Sequence, residues 1–99
     1  MQKINEFQEA IDDSGILSKS QKNILKYITS FDLERGVAAA SIMSHMQIST
    51  QAVNYSLKEL IKRNFLTRKK DRVFIYTVNV KKILELLEDY KIKRNLKLN

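Results

Sequence analysis

Apolar residues along this chain recur at two different periods, and the change from one to the other marks out its elements. Ile4, Phe7 and Ile11 fall at helical spacing with Glu6, Glu9, Asp12 and Asp13 on the remaining surface. A short amphipathic helix is expected there, with Gly15 placed to end it. Ser18 followed by Gln21 reads as a capping box, in which each side chain satisfies a backbone N–H of the other residue. It opens a second helix whose Ile24, Leu25, Ile28 and Phe31 make a broad apolar stripe. A polar connection over residues 32–36 ends at Gly36, and Val37 is expected to form a very short strand before a third helix begins near Ala39. Ala40, Ile42, Met43 and Met46 give that helix small and medium apolar contacts, although no side chain suited to capping stands directly before it. Ser49 is a good N-cap for a fourth helix, because its oxygen can accept from a free N–H of the first turn. In that helix Val53, Leu57, Leu60 and Ile61, with Ala52 beside them, define a buried face. Thr50, Gln51, Asn54, Tyr55, Lys58 and Lys62 are left on the other. Asn64 is placed to close the helix in a left-handed conformation, a role more often filled by Gly.

From Phe65 the period shortens. Phe65 to Arg68 and Val73 to Val78 are rich in β-branched and aromatic residues around a polar tip, Lys69-Lys70-Asp71-Arg72, which predicts a β-hairpin. Asn79 can then cap a last helix carrying Ile83, Leu84, Leu86, Leu87, Tyr90 and Ile92, with a basic tail from Lys91 to Asn99 that is expected to fray at its end. The expected fold is mainly α with a small hairpin, an α+β arrangement. With 99 residues the chain has length for one modest core, so a single domain over 1–99 is expected, with an N-terminal helix in 1–17, a core in 18–80 and a terminal helix and tail in 81–99.

Composition narrows what such a domain does. The chain has no Cys, which excludes disulfides, zinc-thiolate sites and cysteine nucleophiles and fits a reducing, cytoplasmic setting. The opening MQKINEFQEAIDD carries acids and no apolar block, unlike a secretory signal. No run approaches the roughly 20 apolar residues that a membrane span requires. Catalysis finds little support: His45 is the one histidine, the carboxylates fall on solvent faces, and Gly15 and Gly36 are the only glycines, too few for a phosphate-cradling loop. No metal or cofactor is expected, and the chain is not expected to be an enzyme.

Charge is more informative. Residues 1–48 hold five Lys/Arg against six Asp/Glu, whereas residues 49–99 hold thirteen against five, so the net charge of +7 lies entirely in the second half. Four of the five residues from Arg68 to Arg72 are cations. Lysines at a hairpin protect an edge strand from aggregation, but a cluster of this density exceeds that need and points to a polyanion partner.

A short helix, a tight turn at Ile48-Ser49, a longer helix with a polar outer face and a basic hairpin make a helix-turn-helix followed by a wing. The stretch IMSHMQISTQAVNYSLKELIKRNFLTRKKDRVFIYTV resembles the winged helix-turn-helix superfamily, in particular small bacterial and archaeal regulators of the MarR and ArsR type. The likeness covers roughly residues 18–80. Gln47 and Asn64 depart from it, each standing where that family often has Gly. The resemblance implies a double-stranded DNA-binding protein with Ser49, Thr50, Gln51, Asn54, Tyr55, Lys58 and Lys62 on the recognition helix and Arg68, Lys69, Lys70 and Arg72 on the wing. It further implies a homodimer paired through terminal helices, for which Ile4, Phe7, Ile11, Ile83, Leu87 and Tyr90 are the candidate interface. Transcriptional repression is the expected role, with plasmid or phage segregation or replication, or protein binding without DNA, as alternatives. RNA or single-strand binding would need exposed aromatics, for which Tyr55 and Tyr76 are the candidates. An unknown small-molecule or protein effector stays open, although the core looks too small to hold a large pocket.

Overall fold

In a computed structural model of the chain, the backbone is described for residues 2–31 and 33–98 and the side chains for residues 6–31 and 33–95. The elements run α1 (Gln2–Asp13), α2 (Lys19–Thr29), β1 (Val37–Ala38), α3 (Ala39–His45), α4 (Thr50–Lys62), β2 (Leu66–Asp71), β3 (Val73–Val78) and α5 (Val80–Leu98). The three strands form one antiparallel sheet in the order β1-β3-β2. It is an α+β fold of winged-helix type.

Local chemistry accounts for most boundaries. The capping box forms as its spacing predicts: the Ser18 hydroxyl accepts from the Gln21 N–H at 3.2 Å, and the Gln21 carboxamide accepts from the Ser18 N–H at 3.2 Å. Helix α1 ends at Asp13, where the Ser14 N–H closes a turn onto the Ile11 carbonyl. Gly15 therefore ends nothing, and its backbone is not left-handed. The constrained glycine is Gly36, with φ of 77°. A Cβ there would stand 2.5 Å from the Tyr76 carbonyl oxygen, so only glycine lets the chain enter β1 against β3. That close approach sets the register Val37 to Tyr76 and Ala38 to Ile75.

The core lies between the helices and one face of the sheet. Ile11, Ile24, Leu25, Ile28, Ile42, Val53, Leu57, Leu60, Phe65 and Ile83 are all essentially sealed from solvent, and each large side chain so buried contributes about 1.5–3 kcal/mol. Phe31 is an exception to the predicted stripe: α2 stops at Thr29, and the ring is 46% exposed with its edge on Tyr27.

Helices α1 and α5 pack along each other. Residues expected at a subunit interface lie on these two helices. Phe7, Ile11, Ile83 and Leu87 are buried within one chain, and half-buried Tyr90 donates a hydrogen bond to Glu9 at 3.0 Å. The two apolar stripes cover one another. Ile4 lies outside the described side chains. Helix α5 runs through Leu98, and the end of the basic tail at Asn99 lies outside the described residues.

Candidate nucleic-acid interface

Helix α4 is fixed at both ends by its own sequence. The Ser49 hydroxyl accepts from the Ala52 N–H at 3.1 Å, while its proton is left to donate elsewhere. At the other end Asn64 takes φ of 68°; its N–H donates to the Ile61 carbonyl at 3.0 Å and the Phe65 N–H to the Leu60 carbonyl at 2.9 Å. This is a complete Schellman closure, and Leu60 and Phe65, the residues that should touch in it, are both fully buried. Asn tolerates the left-handed region because its short amide bonds locally, so the helix stops without a glycine.

Asn79 then ties the hairpin's exit to that closure: its N–H donates to the Phe65 carbonyl and its side-chain amide to the Asn64 carbonyl, both at 2.9 Å. The side chain expected to cap α5 thus anchors the wing to the end of α4. These bonds hold α4 and the hairpin in a fixed relation.

The two faces of α4 divide as the spacing predicts, with one addition. Val53, Leu57 and Leu60 are buried, and Ala52 and Ile61 are half-buried. Ser56 is buried as well, at 4% exposure. It lies three residues after Val53 and four before Leu60, the same helical spacing that marks the apolar face, but a hydroxyl carries no apolar signal. Thr50, Gln51, Asn54, Tyr55, Lys58 and Lys62 are all exposed, as is Ser49. Tyr55 is 65% exposed. Arg63, next along the chain, is turned away and donates to the Ile16 carbonyl at 3.0 Å.

The hairpin is longer and its tip shorter than expected. The ladder runs from Leu66 opposite Val78 through Lys69 opposite Ile75 and Lys70 opposite Phe74 to Asp71 opposite Val73. Lys69, Lys70 and Asp71 are therefore strand residues, and the chain reverses at Arg72, whose φ of 65° is uncommon for a residue with a Cβ. Strand alternation then sorts the cations. Leu66, Tyr76 and Val78 point into the core, so Arg68, Lys70 and Phe74 lie on that same side beyond the core's edge. Lys69 and Asp71 lie on the other. Tyr76 is 5% exposed and is not available for stacking on a base.

Charge partners differ sharply across the molecule. On the α1 side Lys26 pairs with Asp12 at 2.8 Å, Lys93 with Asp13 at 3.6 Å and Lys91 with Glu6 at 3.9 Å. Tyr90 adds its bond to Glu9, which with burial and the charge of that carboxylate holds the phenol above its ordinary pKa. Lys58, Lys62, Arg68, Lys69, Lys70 and Arg72 have no ion-pair partner among the described residues.

His45 ends α3 and stacks on Tyr27 with ring centroids 4.0 Å apart and planes 16° apart. An open cleft of about 540 Å³ beside this stack runs between Gln8, Lys26 and the turn residues Met46 and Gln47. It lies on the surface and not in the core. Among the described residues no cluster of three metal-ligating groups occurs, and no helix is long and apolar enough to cross a membrane.

The fold has solved counterparts. The ST1889 protein of the thermoacidophilic archaeon Sulfolobus tokodaii is similar over 99% of this chain and 96% of its own, with 18% identity and a TM-score of 0.60. The transcriptional regulator Tm0710 of Thermotoga maritima is similar over 96% of this chain and 71% of its own, at 21% identity and a TM-score of 0.57. The activation domain of the phage T4 transcription factor MotA is similar over 96% and 95%, at 22% identity and a TM-score of 0.57. No family model and no curated protein sequence matches the chain. At such identities the likeness establishes the winged-helix-type fold, and the two neighbours named for a role are a transcriptional regulator and the activation domain of a transcription factor.

Proposed function

We propose that the protein binds double-stranded DNA and regulates transcription, as a homodimeric repressor that occludes a promoter. The observation that carries this reading is the row of six exposed cations on α4 and the wing, without ion-pair partners among the described residues, flanking an exposed polar helix face. Helix α4 enters the major groove. Gln51 and Asn54 each carry the paired donor and acceptor that read an adenine edge, and Tyr55 packs on a thymine methyl or bonds a phosphate. Ser49 and Thr50 donate to phosphate at the helix N-terminus, helped by its dipole. Lys58, Lys62 and the wing cations grip the backbone or the minor groove. The domain extends over the whole chain, acts in the cytoplasm and needs no cofactor.

The pairing surface in this reading is the outer side of α5, where Leu84 and Ile92 are 49% and 52% exposed. Two copies related by a two-fold axis set their recognition helices about 34 Å apart, one turn of DNA, and select a near-palindromic or repeated site. Segregation or replication of a plasmid or phage uses the same contacts at a different DNA site. Recovery of bound fragments from the whole genome separates these roles by where the sites fall. A second reading, a module that binds protein and not DNA, draws support from the neighbour named as an activation domain.

Base reading is tested by Gln51→Ala and Asn54→Ala. Each is expected to weaken binding to the preferred site by about 1–3 kcal/mol with little change on random duplex. Unaltered sequence preference in both variants would remove α4 from the major groove.

A further inference from the structure

Phe74 is an aromatic side chain left 39% exposed in the middle of the cationic wing, with nothing apolar across from it in the ladder. Its cross-strand partner is Lys70, whose ammonium stands 5.4 Å from the ring centroid. The Arg68 guanidinium, two residues back on the same side of β2, stands 4.5 Å from the same centroid. Both distances are within the reach of a cation–π contact. Lys69, between them in sequence, faces the opposite side of the sheet and makes no such contact among the described residues.

We propose that Phe74 is a positioning residue, whose ring holds Arg68 and Lys70 as a fixed pair of cations on the helix side of the wing, and that this ordered pair meets the DNA backbone. The inference rests on the DNA-binding reading above and refines it. Long cationic side chains lose rotamer freedom when they bind phosphate, and a ring that has already ordered them lowers that cost. The side matters as well as the order. The base of this sheet face packs on the helices, so cations that leave the same face farther out stand on the side of α4, where a bound duplex lies. The left-handed Arg72 sharpens the reversal, so that Phe74 and Lys70 come opposite each other only two positions from the tip.

The test uses the full chain and a fluorescent duplex of random sequence, titrated over a salt series with Phe74→Leu and Phe74→Tyr. Leucine keeps the apolar bulk and removes the π face. Phe74→Leu is expected to weaken binding roughly 3- to 10-fold at every salt concentration, with an unchanged slope of log affinity on log salt, because the cations remain but are no longer ordered. Phe74→Tyr is expected to bind as wild type. Thermal midpoints of all variants are read alongside, so that a loss of fold is seen as such. Wild-type binding by Phe74→Leu would overturn the proposal, as would failure of Phe74→Tyr to retain affinity in a folded protein. A wedge pushed between base pairs would accept leucine, so retained affinity there also identifies that alternative. If the wild type itself shows no salt-dependent binding, the DNA-binding reading fails instead.

Discussion

The side of the molecule built from α1 and α5 and the side built from α4 and the hairpin are both covered with long charged side chains, yet they treat them oppositely. On the first, the carboxylates of Glu6, Asp12 and Asp13 each have a lysine within 4 Å, and Glu9 has the Tyr90 hydroxyl. On the second, six cations stand without an ion pair among the described residues. Exposed pairs contribute only about 0–1 kcal/mol each, so the pairing does little for stability. Its larger effect is on the field. It cancels much of the charge of α5's basic end and leaves the positive surplus concentrated at the helix and wing that would face a phosphate backbone. Residue types alone do not distinguish the two surfaces. What distinguishes them is which charges already have a partner.

The strongest way to break this contrast is through the residues that join α1 to α5. Ile11→Ala and Ile83→Ala should each cost about 2–5 kcal/mol in chemical denaturation, since both side chains are sealed inside one chain. A variant that kept its denaturation midpoint but dissociated into smaller species would return these residues to a subunit interface. Next in size is the wing: Arg68→Ala combined with Arg72→Ala should weaken binding to every duplex alike and flatten the salt slope by about 0.9 for each phosphate left without its cation. The paired cations sharpen the contrast from the other side. Lys91→Ala with Lys93→Ala should leave the salt slope unchanged and lower stability by less than about 1 kcal/mol per pair. A slope that fell as far as in the wing variant would mean that pairing does not decide which cations meet DNA.

The smallest effect concerns pH. The folded Tyr90 phenol is held above its ordinary value, so its stabilisation is fully present below about pH 10 and is lost as pH rises through the folded value. Wild type should therefore lose more stability than Tyr90→Phe on going from neutral to strongly alkaline solution. Parallel curves for the two proteins would show that the bond to Glu9 does not contribute.

Much of this architecture is legible in the sequence because the signals are local. The Ser18 and Gln21 box, the Ser49 cap, the Asn64 closure and the exposed face of α4 follow from spacing within one turn, and all stand where the spacing puts them. Where structure and sequence pattern differ, the deciding partner lies far along the chain. Periodicity shows that Phe7, Ile11, Ile83 and Leu87 need cover, but not whether the cover comes from the same chain. Gly36 is required by the carbonyl of Tyr76, forty residues away. Asn79 looks like a cap until the Asn64 carbonyl is placed beside it. The polar tip reads too wide because Lys and Asp are poor strand formers, and cross-strand pairing with Val73 to Ile75 overrides that preference. Phe74 passes for an ordinary strand aromatic in the hairpin pattern, and the available signal of a different task is that a lysine falls opposite it.

The cations of α4 and the wing that lack an ion pair among the described residues are, on this reading, a surface for duplex DNA. Titration of a random-sequence duplex with the wild-type protein from low to moderate salt tests it most directly. The prediction is a straight, steep fall of log affinity with log salt concentration, with a slope of about 0.9 for every phosphate neutralised. Binding that is absent at low salt, or that does not change with salt, would contradict it.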